Sequence, residues 1–203
     1  MFYRIRRACV WLRRLRYSRG FGVQSPWAYR FIRYVVNEHY PYYDYSHLNH
    51  EVYGLNKFAR KLCRLYFRLA NYCQPTLVVD YGAGTMAYRS YFKAGCKSCD
   101  VLMFQANESG LEKLDNYLHD NPVIDIARIS LKGDYRSVVD KLMNFTCRKS
   151  IFIIQRINKN IESQRYWEEL RRDSRVGVTF DLYYCGIVFF DPKIYKQNYL
   201  VNF

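Results

Sequence analysis

The sequence lacks the features of membrane-spanning, secreted and disulfide-bonded proteins. None of its 203 residues belongs to an apolar run of about 18 residues, so no transmembrane helix is predicted. The N-terminus lacks a long apolar stretch with a small-residue cleavage site, so we expect no signal peptide. The seven cysteines are odd in number and scattered, which does not fit a disulfide framework. Four lie within apolar patterns and indicate a reducing, cytoplasmic compartment: Cys63, Cys73, Cys147 and Cys185.

Several chemical motifs are also missing. The chain has no P-loop, no ordered Ser-His-Asp set and no aromatic RNA-binding motif. Cys96 and Cys99 have C-x-x-C spacing but no second ligand pair for zinc, so we interpret them as part of a loop before a strand. His39, His47 and His50 fit no defined zinc motif. We interpret them as surface or capping residues and expect no metal site, although a metal or base role is the alternative.

Acidic residues are absent from residues 1–36, which hold nine arginines. The net charge is +14, and the rest of the chain carries 23 basic and 18 acidic residues, so most of the excess lies at the N-terminus. The apolar spacing predicts a basic amphipathic helix over residues 2–17, with a stripe at Ile5, Ala8, Leu12 and Leu15. We expect this arm, residues 2–33, to pack on the domain or to bind an anionic membrane, nucleic acid or acidic partner. A solvated basic face without a ligand is the alternative.

Helical signals dominate residues 1–74, which we assign to a basic arm and helices packed on the following domain. The Ser25-Pro26 pair predicts the start of a helix that runs to about residue 38. Residues 40–45 are predicted to form a loop, because a proline stops the helix. A further helix is predicted over residues 54–73, with leucines along its buried stripe.

Short apolar runs alternate with helical segments in residues 75–203. Strands are predicted at 77–81, 100–105, 123–130, 150–156, 176–183 and 186–191. Helices are predicted at 109–119, 134–145 and 161–172. Repeated strand–helix units predict an α/β fold with a mostly parallel sheet in which the first four strands are adjacent. The last two strands are predicted to form a C-terminal antiparallel hairpin at the sheet edge.

The main chemical signal is the glycine turn after the first predicted strand. Residues 80–84 read Asp-Tyr-Gly-Ala-Gly, and ligands of open α/β sheets bind beyond the carboxyl ends of the strands. Glycines allow the backbone to approach a ligand closely, and Asp80 can accept a hydrogen bond from an ammonium group. The D-x-G-x-G pattern is shorter than the dinucleotide fingerprint. A tight turn that needs glycine only for its geometry is the alternative.

Three stretches carry a family resemblance. Residues 20–27 read GFGVQSPW, residues 67–84 contain FRLANY and LVVDYGAG, and residues 167–190 contain WEE, DLY and GIVFF. Together they resemble bacterial class I S-adenosylmethionine-dependent methyltransferases of the small-molecule O-methyltransferase kind. The resemblance implies a Rossmann-like class I methyltransferase fold with N-terminal helices, S-adenosylmethionine as cofactor, and a small methyl acceptor that it does not identify. It places the adenosyl ligand over Gly82, Ala83 and Gly84, with Asp80 beneath its amino-acid end and Gln105 beside its ribose.

Most of the acidic residues that the family has around its cleft are replaced in this chain. Met86 replaces a further glycine, and Gln105 replaces the acid that contacts the ribose hydroxyls. The third strand ends in ISLKG where the family has D-G-x-H, and the fourth ends in QRIN where the family has D-D-I-H. One strand–helix unit is missing between residues 105 and 123, which predicts a shortened sheet of five or six strands.

These features leave three functions open. The chain is an active methyltransferase, or a degenerate methyltransferase fold that acts as an interaction protein, or a scaffold whose arm binds an anionic membrane or nucleic acid. Alignment of the reactants can supply much of the catalysis of methyl transfer, so the lost acids do not exclude the first function. The sequence assigns no catalytic residue.

Overall fold

The computed structural model describes residues 2–82, 84–120 and 122–203, with side chains from residue 8 onward except at residue 18. The helices are α1 (Phe2–Arg13), α2 (Pro26–Phe31), α3 (Asp44–Glu51), α4 (Lys57–Cys73), α5 (Ala87–Gly95), α6 (Glu108–Leu118), α7 (Tyr135–Met143) and α8 (Ile161–Arg172). A 3-10 helix, Leu15–Gly20, follows α1, and a π-helical turn, Ile32–Val36, continues α2. The strands are β1 (Leu77–Tyr81), β2 (Asp100–Phe104), β3 (Ile124–Ser130), β4 (Thr146–Gln155), β5 (Thr179–Asp181), β6 (Cys185–Phe189) and β7 (Asn198–Leu200).

One mixed sheet with the order β2-β1-β3-β4-β6-β5-β7 organises the molecule. The first four strands in this order are parallel, β6 is antiparallel to β4 and to β5, and β7 is parallel to β5. The predicted sheet of four adjacent parallel strands is therefore confirmed. Because these strands are parallel, the carboxyl ends of β1, β3 and β4 meet at one edge, where ligands of open α/β sheets bind.

The predicted strand number and sheet edge were wrong. Seven strands lie within the described residues, whereas five or six were predicted. The additional strand is β7, whose three residues include Asn198 and show no apolar run. The β5–β6 hairpin is present, but β7 lies outside β5, so the hairpin does not form the sheet edge.

The N-terminal helices differ from the predicted ones in their ends and number. α1 ends at Arg13 and the helix that begins at Pro26 ends at Val36, both earlier than predicted. The predicted loop over residues 40–45 overlaps α3, which begins at Asp44. α3 buries only Tyr45 and Leu48, so its sequence lacks the apolar stripe that identifies longer helices.

Both faces of the sheet are covered by helices. Along β1, Val78 packs in a core with α2, α4 and α5, whereas Val79 packs in a second core with α6, α7 and α8. This alternation follows from the two-residue period of side chains in a strand. None of the helices in the described ranges is long and apolar enough to cross a membrane.

Candidate ligand-binding cleft

A cleft of about 470 Å³ opens at the carboxyl ends of β1, β3 and β4. Its inner wall comes from the residues that end these strands: Gly82, Gly84, Ser130, Lys132, Gln155 and Arg156. Its outer wall comes from α4, α5 and the loops after β4 and β5: Phe58, Ala59, Leu62, Tyr88, Asn158, Lys159, Tyr183 and Tyr184. This position and volume are typical of small-molecule sites in α/β folds.

The two glycines of the turn contribute differently to the cleft. Gly82 has a φ of +74°, and a Cβ there would lie 3.1 Å from Ser130 Cβ, so both conformation and space require glycine. A Cβ on Gly84 would meet no atom within 4 Å, so the backbone here borders open space. Both residues line the cleft, and their contact with a ligand stays a prediction. Ala83, the third predicted residue of this turn, lies outside the described residues.

Asp80 is buried beneath this turn and is paired with Arg128. The two residues face each other on β1 and β3, and Arg128 Nε donates a hydrogen bond of 2.5 Å to Asp80 Oδ1. Both side chains have 0% exposure. Burial raises the pKa of Asp80 to about 6, because desolvation outweighs the guanidinium, which lowers it. The carboxylate that the sequence assigned to a ligand ammonium therefore already has a cation from the protein.

Arg128 continues this contact into a buried polar network. Its Nη1 donates to Gln155 Oε1 at 2.5 Å, and Gln155 Nε2 donates to the hydroxyl of Tyr66 on α4. The ring of Tyr88 lies 4.5 Å from the guanidinium carbon, within the range of a cation–π contact. Tyr88 and Gln155 also line the cleft, so the network forms part of its floor.

Gln105 lies at the end of β2, outside the residues that line the cleft. Its side chain is exposed, and its Oε1 accepts a hydrogen bond of 3.1 Å from Asn107 Nδ2. Asn107 in turn caps α6, because its Oδ1 accepts from the amide of Gly110. The contact of Gln105 with a ribose stays a prediction.

The charge of the cleft is positive. Lys132, Arg156 and Lys159 line it, whereas no carboxylate or histidine is found among its described lining residues. Arg156 has a φ of +68°, a conformation that is uncommon outside glycine and that occurs often at functional sites. The rings of Phe58 and Tyr184 pack against each other with centroids 4.3 Å apart. These basic side chains favour an anionic group on whatever the cleft binds.

The other candidate residues lie away from the cleft. Cys96 and Cys99 are buried between α5 and β2, and Cys96 Sγ lies 3.5 Å from the carbonyl oxygen of Pro75. His47 is exposed on α3 with its Nδ1 3.5 Å from Glu51 Oε2. Within the described ranges, no three histidine, cysteine or acidic side chains come close enough together to hold a metal ion.

Comparison of the sequence with protein-family models and with curated proteins gives no match. Among solved structures, the SAH-bound methyltransferase PaMTH1 from Podospora anserina is 9% identical, with 82% of this chain and 96% of that chain covered and a TM-score of 0.51. A precorrin-6y C5,15-methyltransferase from Geobacter metallireducens GS-15 is 10% identical, with 70% and 95% covered and a TM-score of 0.50. The MycE methyltransferase of the mycinamycin biosynthetic pathway, in complex with Mg and SAH, is 11% identical, with 78% and 51% covered and a TM-score of 0.52. At such identities the likeness concerns the fold, and the chain has a Rossmann-like class I methyltransferase fold.

Proposed function

We propose that this protein is an S-adenosylmethionine-dependent, methyltransferase-like protein whose cleft receives the adenosyl ligand over Gly82 and Gly84. The observation that carries the proposal is the open glycine turn on a cleft of about 470 Å³ at the carboxyl ends of the parallel strands. Two solved structures of similar fold are described as SAH-bound or SAH-containing methyltransferases, which supports the choice of ligand.

The residues of the cleft fit this ligand at the glycine turn better than at its amino-acid end. Gly84 leaves space for close backbone approach. The side chain of Asp80 has 0% exposure, its Oδ1 is bonded to Arg128, and its Oδ2 has no hydrogen-bond partner among the described residues. We therefore infer that Asp80 acts as a positioning residue that holds Arg128, not as a direct partner of the ligand ammonium. Loss of one charge-assisted hydrogen bond weakens binding by about 1.5–3 kcal/mol, which is about ten- to hundredfold in Kd. Weak binding is the expected outcome.

The charge of the cleft lining supports a proposal on the class of methyl acceptor. The bound cofactor supplies an electrophilic methyl group, and the protein must align the acceptor with it. A neutral hydroxyl acceptor needs a general base, and the described lining offers neither a carboxylate nor a histidine. An acceptor that enters as a carboxylate or phenolate needs no base, and Lys132 and Lys159 would attract it. We propose such an anion as the acceptor.

Thermal unfolding with S-adenosylhomocysteine tests the cofactor proposal. A ligand at a hundred times its Kd stabilises a protein by about 2.7 kcal/mol, so a weak ligand at millimolar concentration gives a measurable rise in Tm. We expect the unmodified protein to shift, and Gln105→Glu to shift further if residue 105 reaches the ribose. Equal shifts would exclude Gln105 from ligand binding and leave the glycine turn as the site.

A second candidate function is favoured by the Asp80–Arg128 pair. Arg128 occupies the carboxylate of Asp80, which the family resemblance assigned to the ligand. Such a pair is compatible with a protein that has the methyltransferase fold but acts in protein interactions without catalysis. If neither the unmodified protein nor Gln105→Glu shifts at millimolar S-adenosylhomocysteine, this second function replaces the first. Tight binding by the unmodified protein would contradict the second function, and would also contradict the expected weakening.

A further inference from the structure

Three large apolar side chains at the end of α1 and the start of the 3-10 helix are exposed. Trp11 is 51% exposed, Leu12 61% and Leu15 49%, although their spacing is that of a stripe that usually packs inward. Ala8, on the same side, is exposed as well. Phe21, just beyond the 3-10 helix, is 79% exposed. Exposed apolar groups that cluster on one side of a basic helix mark an interaction surface.

The opposite side of this segment is fixed to the domain by polar contacts. Arg14 Nη1 donates to Asp181 Oδ1 at 2.8 Å and to the Asp181 carbonyl oxygen at 2.9 Å. Asn202 donates through Nδ2 to the carbonyl oxygen of Trp11 and through its amide to that of Tyr17, each at 3.2 Å. These bonds hold the helix with a polar edge inward, so its apolar stripe is presented to the surroundings.

The segment that carries this stripe and the helix that follows it are positively charged. Five exposed arginines lie on α1, the 3-10 helix and the helix that follows: Arg13, Arg16, Arg19, Arg30 and Arg33. No acid occurs in residues 1–36, and none of the five has an ion-pair partner in the part of the chain that the structure describes. Apolar and basic groups on one exposed helix are typical of segments that lie in a membrane interface.

We propose that α1 and the 3-10 helix bind the surface of an anionic phospholipid bilayer. Trp11, Leu12 and Leu15 enter the headgroup region, and the surrounding arginines pair with lipid phosphates. A nucleic acid would pair with the arginines but would leave the two leucines in water. A lipid surface accounts for both the exposed arginines and the exposed apolar side chains. This proposal is independent of the ligand in the cleft.

Vesicle flotation of the full chain tests the proposal. The vesicles are phosphatidylcholine with or without phosphatidylglycerol, at about 0.01 M and about 1 M salt, between which the Debye length falls from about 30 Å to about 3 Å. One variant removes charge (Arg13→Gln, Arg16→Gln, Arg19→Gln) and a second removes the stripe (Trp11→Ser, Leu12→Ser, Leu15→Ser). Matched controls make the same changes at exposed sites elsewhere: Lys97, Lys113 and Lys149 to Gln, and Val123, Ile161 and Tyr195 to Ser.

We expect binding to anionic vesicles at low salt, with little binding to neutral ones. Each neutralised arginine should weaken partitioning about fivefold, and the three together about a hundredfold. Loss of the stripe should weaken it by at least tenfold, because several apolar groups leave the interface. Both controls should bind like the unmodified protein, and all variants should keep its Tm.

Three results would overturn the proposal. The first is no binding to anionic vesicles at low salt, and the second is equal binding to neutral vesicles. The third is binding that loss of the stripe leaves unchanged while a polyuridine strand competes it away, because this would make the arm a nucleic-acid site.

Discussion

At the scale of single residues, the Asp80–Arg128 pair is the feature with the largest consequences. Both charged side chains have 0% exposure, so replacement of one by an apolar residue would leave the other in the core without its partner. Asp80 was predicted as a site residue, but its partner lies 48 positions along the chain, and only the β1–β3 register brings them together.

Replacement of Arg128 alone should destabilise the fold strongly. We expect Arg128→Met to lower the free energy of unfolding by about 3–5 kcal/mol, because Asp80 loses its cation. The double variant Arg128→Met with Asp80→Asn should recover a large part of this loss, because no charge remains in the core. Urea unfolding of the two single variants and the double variant checks this. If the double variant lost as much free energy of unfolding as the two single variants together, the two side chains would not be coupled.

The raised pKa of Asp80 predicts a pH dependence. The pKa is about 6 in the folded protein and about 3.9 in an unfolded chain, so the folded state binds the proton first as the pH falls. Proton uptake between pH 6 and about 4 therefore favours the folded state, and this contribution is lost as the pH rises through 6. The unmodified protein should gain stability relative to Asp80→Asn over this window. Urea midpoints from pH 7 to pH 4 measure it, and a constant difference would contradict the raised pKa.

At the scale of elements, the parts with a strong apolar pattern were predictable. The helix predicted at residues 161–172 is observed as Ile161–Arg172, and the four parallel strands lie where their apolar runs indicated. α3 and β7 were missed because each is short and depends on tertiary contacts. The rings of Tyr42 and Tyr45 pack on Phe67 of α4, and such contacts are not visible in local sequence.

The close packing of α5 on α4 depends on Gly95. A Cβ at this position would lie 2.2 Å from the carbonyl oxygen of Phe67 and 2.9 Å from Ala70 Cβ. The backbone carbonyl of Phe67 cannot move aside as a flexible side chain could. Gly95→Ala should therefore lower the free energy of unfolding by about 1–3 kcal/mol, despite the better helix propensity of alanine. Ser90→Ala on the same helix, at a half-buried position, is the control and should change stability by less than about 0.5 kcal/mol. Thermal unfolding of both variants measures the contrast.

At the scale of the whole molecule, Asp181 joins the N-terminal arm to the sheet. Its carboxylate accepts bonds from Arg14 and from Trp167 Nε1 of α8, so the arm is tied to the same residue that anchors a buried tryptophan. Arg14→Gln should release the arm and increase tryptic cleavage within it several-fold, with little change in global stability. Arg16→Gln, an exposed change on the same segment, should cleave like the unmodified protein at the remaining sites. Equal protection in both variants would show that Arg14 does not hold the arm.

The cleft itself was predictable in outline. The fold class and the D-x-G-x-G turn indicated its place, and Gly82 and Gly84 do line it. Lys132, Arg156 and Lys159 were not identified as site residues, because the ends of β3 and β4 and the loop that follows bring them together only in three dimensions. The positive lining is therefore a property of the assembled sheet edge.

Calorimetry with S-adenosylhomocysteine tests whether the adenosyl ligand binds over the glycine turn of the cleft. The unmodified protein is compared with Gly84→Phe, which places a ring in the cleft from a position where a Cβ meets nothing within 4 Å, and with Met86→Phe, an exposed change outside the cleft lining. We expect weak, measurable binding to the unmodified protein and to Met86→Phe, and no binding to Gly84→Phe at equal Tm. Binding that Gly84→Phe leaves unchanged would contradict this expectation, because the adenosyl ligand would then lie elsewhere.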